Sequence, residues 1–262
     1  MQAYIIVLLV CVAAVAGAPG VRNVAGSRIV GGQETTIEEY PEAVALIYVN
    51  SAGAFTMMCG GSILNQRSIL SAGHCFALFS GFDVPSNWRV RAGSTYWNSG
   101  GLVLQVSSII VHPTFDQLAY LDNDVAILRL TSMLQYGNTI QPARIAGPAY
   151  ALTGGEEVWA CGWGTTNTSG PERLHDVQIW VVDQEICRSR YTGFSVITEN
   201  MLCAGWLDVG GRDQCWGDSG GPLYHVGTVV GITSFGLSCG HETYPGVNTR
   251  VSAVSEWIQV NA

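Results

Sequence analysis

The sequence predicts an all-β fold ending in one short C-terminal helix, on three observations. Glycine is abundant, at 32 of 262 residues, which suits many short strands joined by tight turns. Apolar residues alternate or cluster in runs of a few residues between turn-forming residues. No stretch before residue 250 holds a long helical period, whereas Val251, Val254, Trp257 and Ile258 fall on one helical face. The chain is 48% hydrophobic and 12% charged, enough apolar material for one large domain or two lobes with a proper core, and too much for a disordered chain. The net charge of −8 disfavours nucleic acid as a partner.

Taken in order, residues 1–17 read as a secretory signal peptide: an apolar run from Ile5 to Ala16 precedes small residues, with cleavage placed after Gly17. That run falls short of the roughly 20 residues that span a bilayer, so no membrane association is expected of the mature form. Residues 18–28 form a short polar leader ending in Arg28, followed by Ile29-Val-Gly-Gly32. Strands are predicted at 43–49, 61–64, 88–92, 102–111 and 125–130, then at 158–163, 177–182, 222–224, 229–234 and 246–249. Pro142, Gly147 and Pro148 cluster between the two sets and place a lobe boundary near 141–148.

The chemistry centres on Gly217-Asp218-Ser219-Gly220-Gly221-Pro222. A serine hydroxyl is a poor nucleophile until a base takes its proton and N–H groups face the oxyanion that forms. Glycines on both sides let the backbone present Ser219 with its N–H groups aligned. A Gly-rich turn alone would be the bland reading, so a base is required elsewhere. His74, in Ser71-Ala-Gly-His-Cys75, supplies one; Asp122 and Asp124, in Asp-Asn-Asp before an apolar run, are both candidates to orient it. The order His, Asp, Ser is one of the known chain orders for such a triad.

With Ile29-Val-Gly-Gly32, Gly162-Trp-Gly164 and Ser234-Phe-Gly236 also present, residues 29–262 resemble the trypsin-like serine proteases of the chymotrypsin fold, the family of the best-studied Ser-His-Asp triad. The resemblance implies two six-stranded antiparallel β-barrels, about 29–141 and 142–262, with the active site between them. It selects Asp124 over Asp122, giving a catalytic set of His74, Asp124 and Ser219. It implies an oxyanion hole from the N–H groups of Gly217 and Ser219, and Ser234 as the support of the aspartate and start of the substrate-binding segment. Asp213 falls at the floor of the primary specificity pocket, with Gly236 and Gly246 as its walls, which implies cleavage after Arg or Lys. Gln214 stands where many members carry Ser, and Phe235 replaces the usual tryptophan. The Arg28–Ile29 junction corresponds to the activation cut, which frees an amino group on Ile29 to pair with Asp218. The other histidines (112, 175, 225 and 241) are expected to be structural or surface residues.

Eight cysteines fit an oxidising compartment, and Cys11 leaves with the signal. The resemblance pairs Cys59 with Cys75, Cys187 with Cys203 and Cys215 with Cys239; Cys161 is left over and reads as a buried free thiol, with an intermolecular bridge as the alternative. No cofactor and no metal are expected, since no Cys-x-x-Cys or histidine cluster accompanies Cys161 and no acidic calcium loop is evident between 93 and 105. Asn167-Thr-Ser169 is a formal glycosylation sequon. All twelve basic residues are arginine; guanidinium keeps its charge beyond about pH 10.4, where lysine loses it, so the composition suits alkaline service as well as a simple bias in residue usage. Several stretches, among them 64–71 and 205–215, resemble insect digestive trypsins, especially those of moth larvae. The expectation is a secreted monomeric endopeptidase of the gut lumen, made as a zymogen, acting on protein and peptide substrates and bound by protein protease inhibitors. The rival is a non-catalytic homologue acting as a binding protein, against which the intact triad argues.

Overall fold

The computed structural model describes residues 30–164 and 172–262. The signal segment, the leader, the Arg28–Ile29 junction and the Asn167 sequon lie outside the described residues.

The strands are β1 (Gln33–Glu34), β2 (Ala43–Val49), β3 (Phe55–Asn65), β4 (Ser68–Ser71), β5 (Trp88–Ala92), β6 (Leu102–Val111) and β7 (Ala126–Leu130) in the first half. The second half holds β8 (Glu157–Gly162), β9 (His175–Val181), β10 (Met201–Gly205), β11 (Pro222–His225), β12 (Thr228–Phe235) and β13 (Gly246–Arg250). The described residues also hold three α-helices, α1 (His74–Ala77), α2 (Gln184–Arg190) and α3 (Val251–Asn261), and a 3-10 turn at Pro85–Asn87.

All strand pairings are antiparallel, and they close into two six-stranded barrels. The first runs β2-β3-β4-β7-β6-β5 and returns to β2; the second runs β9-β10-β13-β12-β11-β8 and returns to β9. Closure leaves no free sheet edge in either barrel. The short β1 pairs with β9, and Val30 forms a bridge to Asp213, so the residues just after the Arg28–Ile29 junction lie on the second barrel and not the first.

The interior of each barrel follows from strand periodicity, in which alternate side chains point to one face. In β5, Trp88, Val90 and Ala92 are buried while Arg89 and Arg91 are less so. The Trp88 indole N–H is satisfied by the Phe82 carbonyl at 2.7 Å, as a buried polar tip requires. The helix α3 lays Val251, Val254 and Ile258 against the core and leaves Trp257 half-buried beside the His112 ring. The two barrels meet through side chains that matter for the site. Asp122, at the end of the loop before β7, accepts hydrogen bonds from Thr198 and Asn200 of the second barrel. Three disulfides, Cys59–Cys75, Cys187–Cys203 and Cys215–Cys239, are formed, and Cys161 is a buried free thiol.

Candidate active site

His74 opens α1 directly after β4, in a loop anchored to β3 by Cys59–Cys75. The residue before it, Gly73, is tightly enclosed: a Cβ there would sit 3.1 Å from Val111 Cγ1 and 3.2 Å from the Phe115 ring. Asp124 lies two residues ahead of β7 and is fully buried. One of its oxygens accepts the His74 backbone N–H and the other the His74 Nδ1 proton, both at 2.7 Å. The second oxygen also accepts the Ser234 hydroxyl. An ionised carboxylate only accepts, so the proton between the ring and Asp124 belongs to Nδ1. The neutral imidazole then has its lone pair on Nε2. Burial alone would lower the His74 pKa; the charge of Asp124 and its hydrogen bond outweigh that and hold it above the ordinary value. Thr249 of β13 donates to the Asp124 carbonyl at 2.7 Å, so the second barrel grips this residue at both its side chain and its backbone.

Asp122 is equally buried but belongs to another network. Its carboxylate accepts from Thr198 Oγ1, Asn200 Nδ2 and Asn123 Nδ2, and it ties the barrels together without touching His74.

Ser219 sits in the loop before β11, and its side chain and His74 line one cavity of 440 Å³. Among the described residues no hydrogen bond joins the two side chains directly. The loop is shaped by two glycines with left-handed backbone, Gly217 at φ 98° and Gly220 at φ 77°, which non-glycine residues resist. A Cβ on Gly220 would collide with Ser71 Oγ, so the loop can close onto β4 only with glycine there. The N–H groups of Asp218, Gly220 and Gly221 bond to Cys215, Thr233 and Asp218 carbonyls. Those of Gly217 and Ser219 meet no backbone acceptor among the described residues and are free to donate to a ligand.

Asp218 points the opposite way, into the second barrel. Its oxygens accept the N–H groups of Gly164 and Cys215, each at 2.8 Å. Glycine at 164 is required by this approach, since a Cβ would lie 2.4 Å from the carboxylate. Burial pushes the Asp218 pKa up to about 6 against those two hydrogen bonds.

The same cavity runs past Ser234, Phe235 and Gly236 to Asp213. Asp213 is buried, with Oδ2 held by the Gly240 N–H at 3.0 Å and Oδ1 without a partner among the described residues. Burial pushes its pKa up to about 7. A Cβ on Gly246 would fall 2.8 Å from Asp213 Oδ1, whereas one on Gly236 would meet nothing nearer than the Gly246 Cα at 3.9 Å, across the slot. The Asp213 carboxylate thus has room only because residue 246 is glycine. Cys215–Cys239 braces the cavity wall. The rim is apolar: Leu78, Phe79, Tyr120, Phe194 and Trp216 line the cavity and are exposed. Trp216, at 78% exposure, is among the residues that line the cavity.

Sequence reasoning named the residues that bear charge or a nucleophile but not those that orient them from afar. Thr249 gave no signal. Nor did the pairing of Gln214 Nε2 with Asn248 Oδ1 at 2.9 Å, which joins residues 34 positions apart. For metal binding, the described residues bring Cys59, Cys75 and His74 within ligand distance of one another, but both sulfurs are spent in a disulfide and cannot act as thiolate ligands. No helix among the described residues is long and apolar enough to cross a membrane.

The Trypsin family model matches residues 29–258. Among curated proteins, the chain is 49% identical to "Trypsin, alkaline A" of Manduca sexta and 49% identical to "Trypsin CFT-1" of Choristoneura fumiferana, each over the full length of both chains. It is 45% identical to "Achelase-1" of Lonomia achelous over 89% of this chain and all of that protein. With two closed barrels, a cleft between them and these matches over its whole length, the chain belongs to the trypsin family and is a serine endopeptidase.

Proposed function

We propose that the protein is a secreted digestive trypsin, made as a zymogen, that cleaves peptide bonds after Arg or Lys. The observation that carries this reading is one cavity lined by His74, Ser219 and the buried Asp213, whose carboxylate is half-unpaired among the described residues. A basic side chain seated on Asp213 gains a charge-assisted hydrogen bond and sets the following peptide carbonyl beside Ser219.

In this reading His74 Nε2 takes the Ser219 proton as Oγ attacks the carbonyl, and Asp124 stabilises the imidazolium that results. The free N–H groups of Gly217 and Ser219 receive the oxyanion. Protonated His74 then gives its proton to the leaving amine, and Ser219 retains the acyl group as an ester. Water, deprotonated by His74, hydrolyses that ester. The hydrogen bond from Ser219 to His74 forms when substrate docks, since such contacts are commonly loose without it.

The domain plan that goes with this reading is a signal peptide at 1–17, an activation leader at 18–28 and the protease from 29 to 262, with barrels of about 29–141 and 142–262. Cleavage after Arg28 frees the Ile29 amino group, which pairs with Asp218. Two features support that step: Asp218 is a buried carboxylate held only by N–H groups among the described residues, and Val30 is already bridged to Asp213. Arg28 itself fits the Asp213 pocket, so the enzyme can activate its own precursor. The mature form is a monomer of the gut lumen, open to protein inhibitors that fill the same cleft. A lysine-free chain and relatives named alkaline trypsins support work at alkaline pH.

The test is hydrolysis of matched Arg, Lys and Phe chromogenic peptides, before and after trace trypsin, from neutral to strongly alkaline pH. Activity on Arg and Lys alone, arising only after cleavage at Arg28 and persisting on the Arg peptide where lysine would lose its charge, is the expected result. Phe cleavage would refute the role of Asp213, and silence after verified cleavage would refute the catalytic reading.

A further inference from the structure

The residues just past the Arg28–Ile29 junction rest against an arginine that has no acid partner. Val30 forms an antiparallel bridge with Asp213, whose N–H donates to the Val30 carbonyl at 3.0 Å. Gly31 turns away at φ 71° and passes so close to Arg212 that a Cβ there would lie 2.7 Å from Arg212 Cγ. Val30 is closed in by Gly240, where a Cβ would meet Val30 Cγ1 at 2.9 Å. The Arg212 head lies over two indoles, 4.5 Å from the ring centre of Trp206 and 5.7 Å from that of Trp180, and the two rings are 5.5 Å apart. Arg212 has no ion pair and no side-chain hydrogen bond among the described residues. Four carboxylates stand on the surrounding elements. Asp208 is paired with Arg190 at 2.7 Å, Asp213 holds the Gly240 N–H, Glu242 meets the Asp208 N–H with its backbone, and Glu157 faces Trp180 across β8 and β9. Carboxylates do not change charge in alkali, so none of these alters the surroundings of Arg212 there.

We infer that Arg212, stacked on Trp206 and Trp180, is a positioning residue that keeps the activation strand seated in alkali. The inference rests on the reading that the Ile29 amino group pairs with Asp218 after the cut. An α-amino group starts near pH 8. Even when raised by its partner it loses its charge within the alkaline range, and the ion pair goes with it. The stack does not depend on that proton. A guanidinium over an indole face is attracted by the ring quadrupole, and it stays charged far above the range in which an amine titrates. The head of Arg212 therefore remains fixed to β9 and to the residue after β10, and its stem remains the wall against which Gly31 lies. Arg212 acts on the Ser219 loop only through the strand, which keeps the Ile29 nitrogen beside Asp218.

The composition supplies a direct probe. The chain contains no lysine, so after cleavage at Arg28 the Ile29 amino group is the only primary amine of the protease chain. The experiment measures its reaction with trinitrobenzenesulfonate at pH 8 and pH 10.5, relative to a free Ile-Val peptide, in a Ser219→Ala chain cut by trypsin that is then removed. The parent chain is expected to react slowly at both pH values. Arg212→Met keeps the stem and removes the charge; it should react slowly at pH 8 and about tenfold faster than the parent at pH 10.5, the size of a cation held over indole. Trp206→Leu removes the nearer ring and should shift in the same direction. In the active enzyme, Arg212→Lys should match wild type on an Arg peptide at pH 9 and fall behind it above about pH 10.4, where the ammonium loses its proton. A purely structural role would give a defect that does not depend on pH. Unchanged rates at pH 10.5 in folded Arg212→Met and Trp206→Leu overturn the inference, as does a rise that is equal at pH 8. Should those two fail to fold, an Arg212→Lys enzyme as active as wild type at pH 11 overturns it. Fast reaction of the parent chain already at pH 8 sinks the pairing of Ile29 with Asp218 itself.

Discussion

Two aspartates two residues apart show how position alone assigns different tasks to one side chain. Asp124 faces His74 and Ser234; Asp122 faces Thr198, Asn200 and Asn123. Asp124→Asn should leave the fold intact and lower kcat by on the order of 10⁴, the loss known for this change in the family, because the amide favours the wrong imidazole tautomer. Asp122→Ala should do the reverse. It leaves Thr198 and Asn200 without their buried acceptor at a cost of about 1–3 kcal/mol, read as a lower melting temperature with kcat on folded enzyme little changed. Equal kinetic losses in both variants would undo the assignment. Asp213 adds a pH signature. With its pKa pushed up to about 7 by burial, Asp213 loses its charge as pH falls through neutrality, and with it the attraction proposed for a basic substrate side chain. His74, held above its ordinary value by Asp124, also gains a proton as pH falls, and both changes lower kcat/KM. In the substrate complex the bound cation keeps Asp213 ionised, so kcat reports His74 alone. The acid limb of kcat/KM should therefore be steeper than that of kcat, and equal slopes would show that Asp213 does not titrate there.

At the scale of elements, stability sits where side chains are both apolar and regularly spaced. Ile258 is fully buried on α3, and Ile258→Ala should cost about 2–5 kcal/mol, part transfer and part cavity, measured by denaturant unfolding. The helix α2 depends instead on its cap: Asp183 accepts the N–H groups of Glu185 and Ile186 at 2.9 and 3.1 Å. Asp183→Ala should cost about 1 kcal/mol. This contrast explains which elements the sequence made legible. The strands β2, β5 and β6 were expected at 43–49, 88–92 and 102–111, and that is where they lie; the α3 face was readable from its spacing. By contrast β4 is four residues bounded by serines, and all five residues of β10 are buried, so neither alternates. In α2 only Cys187 is buried, which leaves no period to read. The two-barrel fold was legible through family resemblance, not through periodicity, because closure is a matter of which distant strands pair. The Gly217–Pro222 string was legible for a different reason: presenting a nucleophile needs particular residues side by side. The Gln214–Asn248 pair, formed across two parts of the barrel, leaves no such local trace.

For the whole molecule, the proposed activation would couple a cut after Arg28 to a buried carboxyl in the second barrel. In the uncleaved chain Asp218 carries a pKa of about 6 against 3.8 for the free side chain. A carboxyl whose pKa is raised by folding contributes stability that is complete below its unfolded pKa and is lost as pH rises through the folded one. The loss here falls between about pH 4 and pH 6, and two pKa units correspond to about 3 kcal/mol. If the Ile29 amino group arrives beside Asp218, the carboxylate gains a cation, its pKa falls, and that loss disappears. Asp213 is raised in the same sense, but it is common to both forms and cancels from their difference. The comparison is best made in a Ser219→Ala background, where cleavage by added trypsin is not followed by self-digestion. The expected outcome is a melting temperature that rises on cleavage at Arg28 by little near pH 4 and by several degrees at pH 7, with the gain growing across the window in which Asp218 ionises. The gain should fade again in alkali only once the paired amino group, which starts near pH 8 and is raised by its partner, loses its proton. A gain independent of pH would mean that cleavage stabilises the protein through the chain ends and not through Asp218, and no gain at all would leave the buried carboxylate without the partner proposed for it.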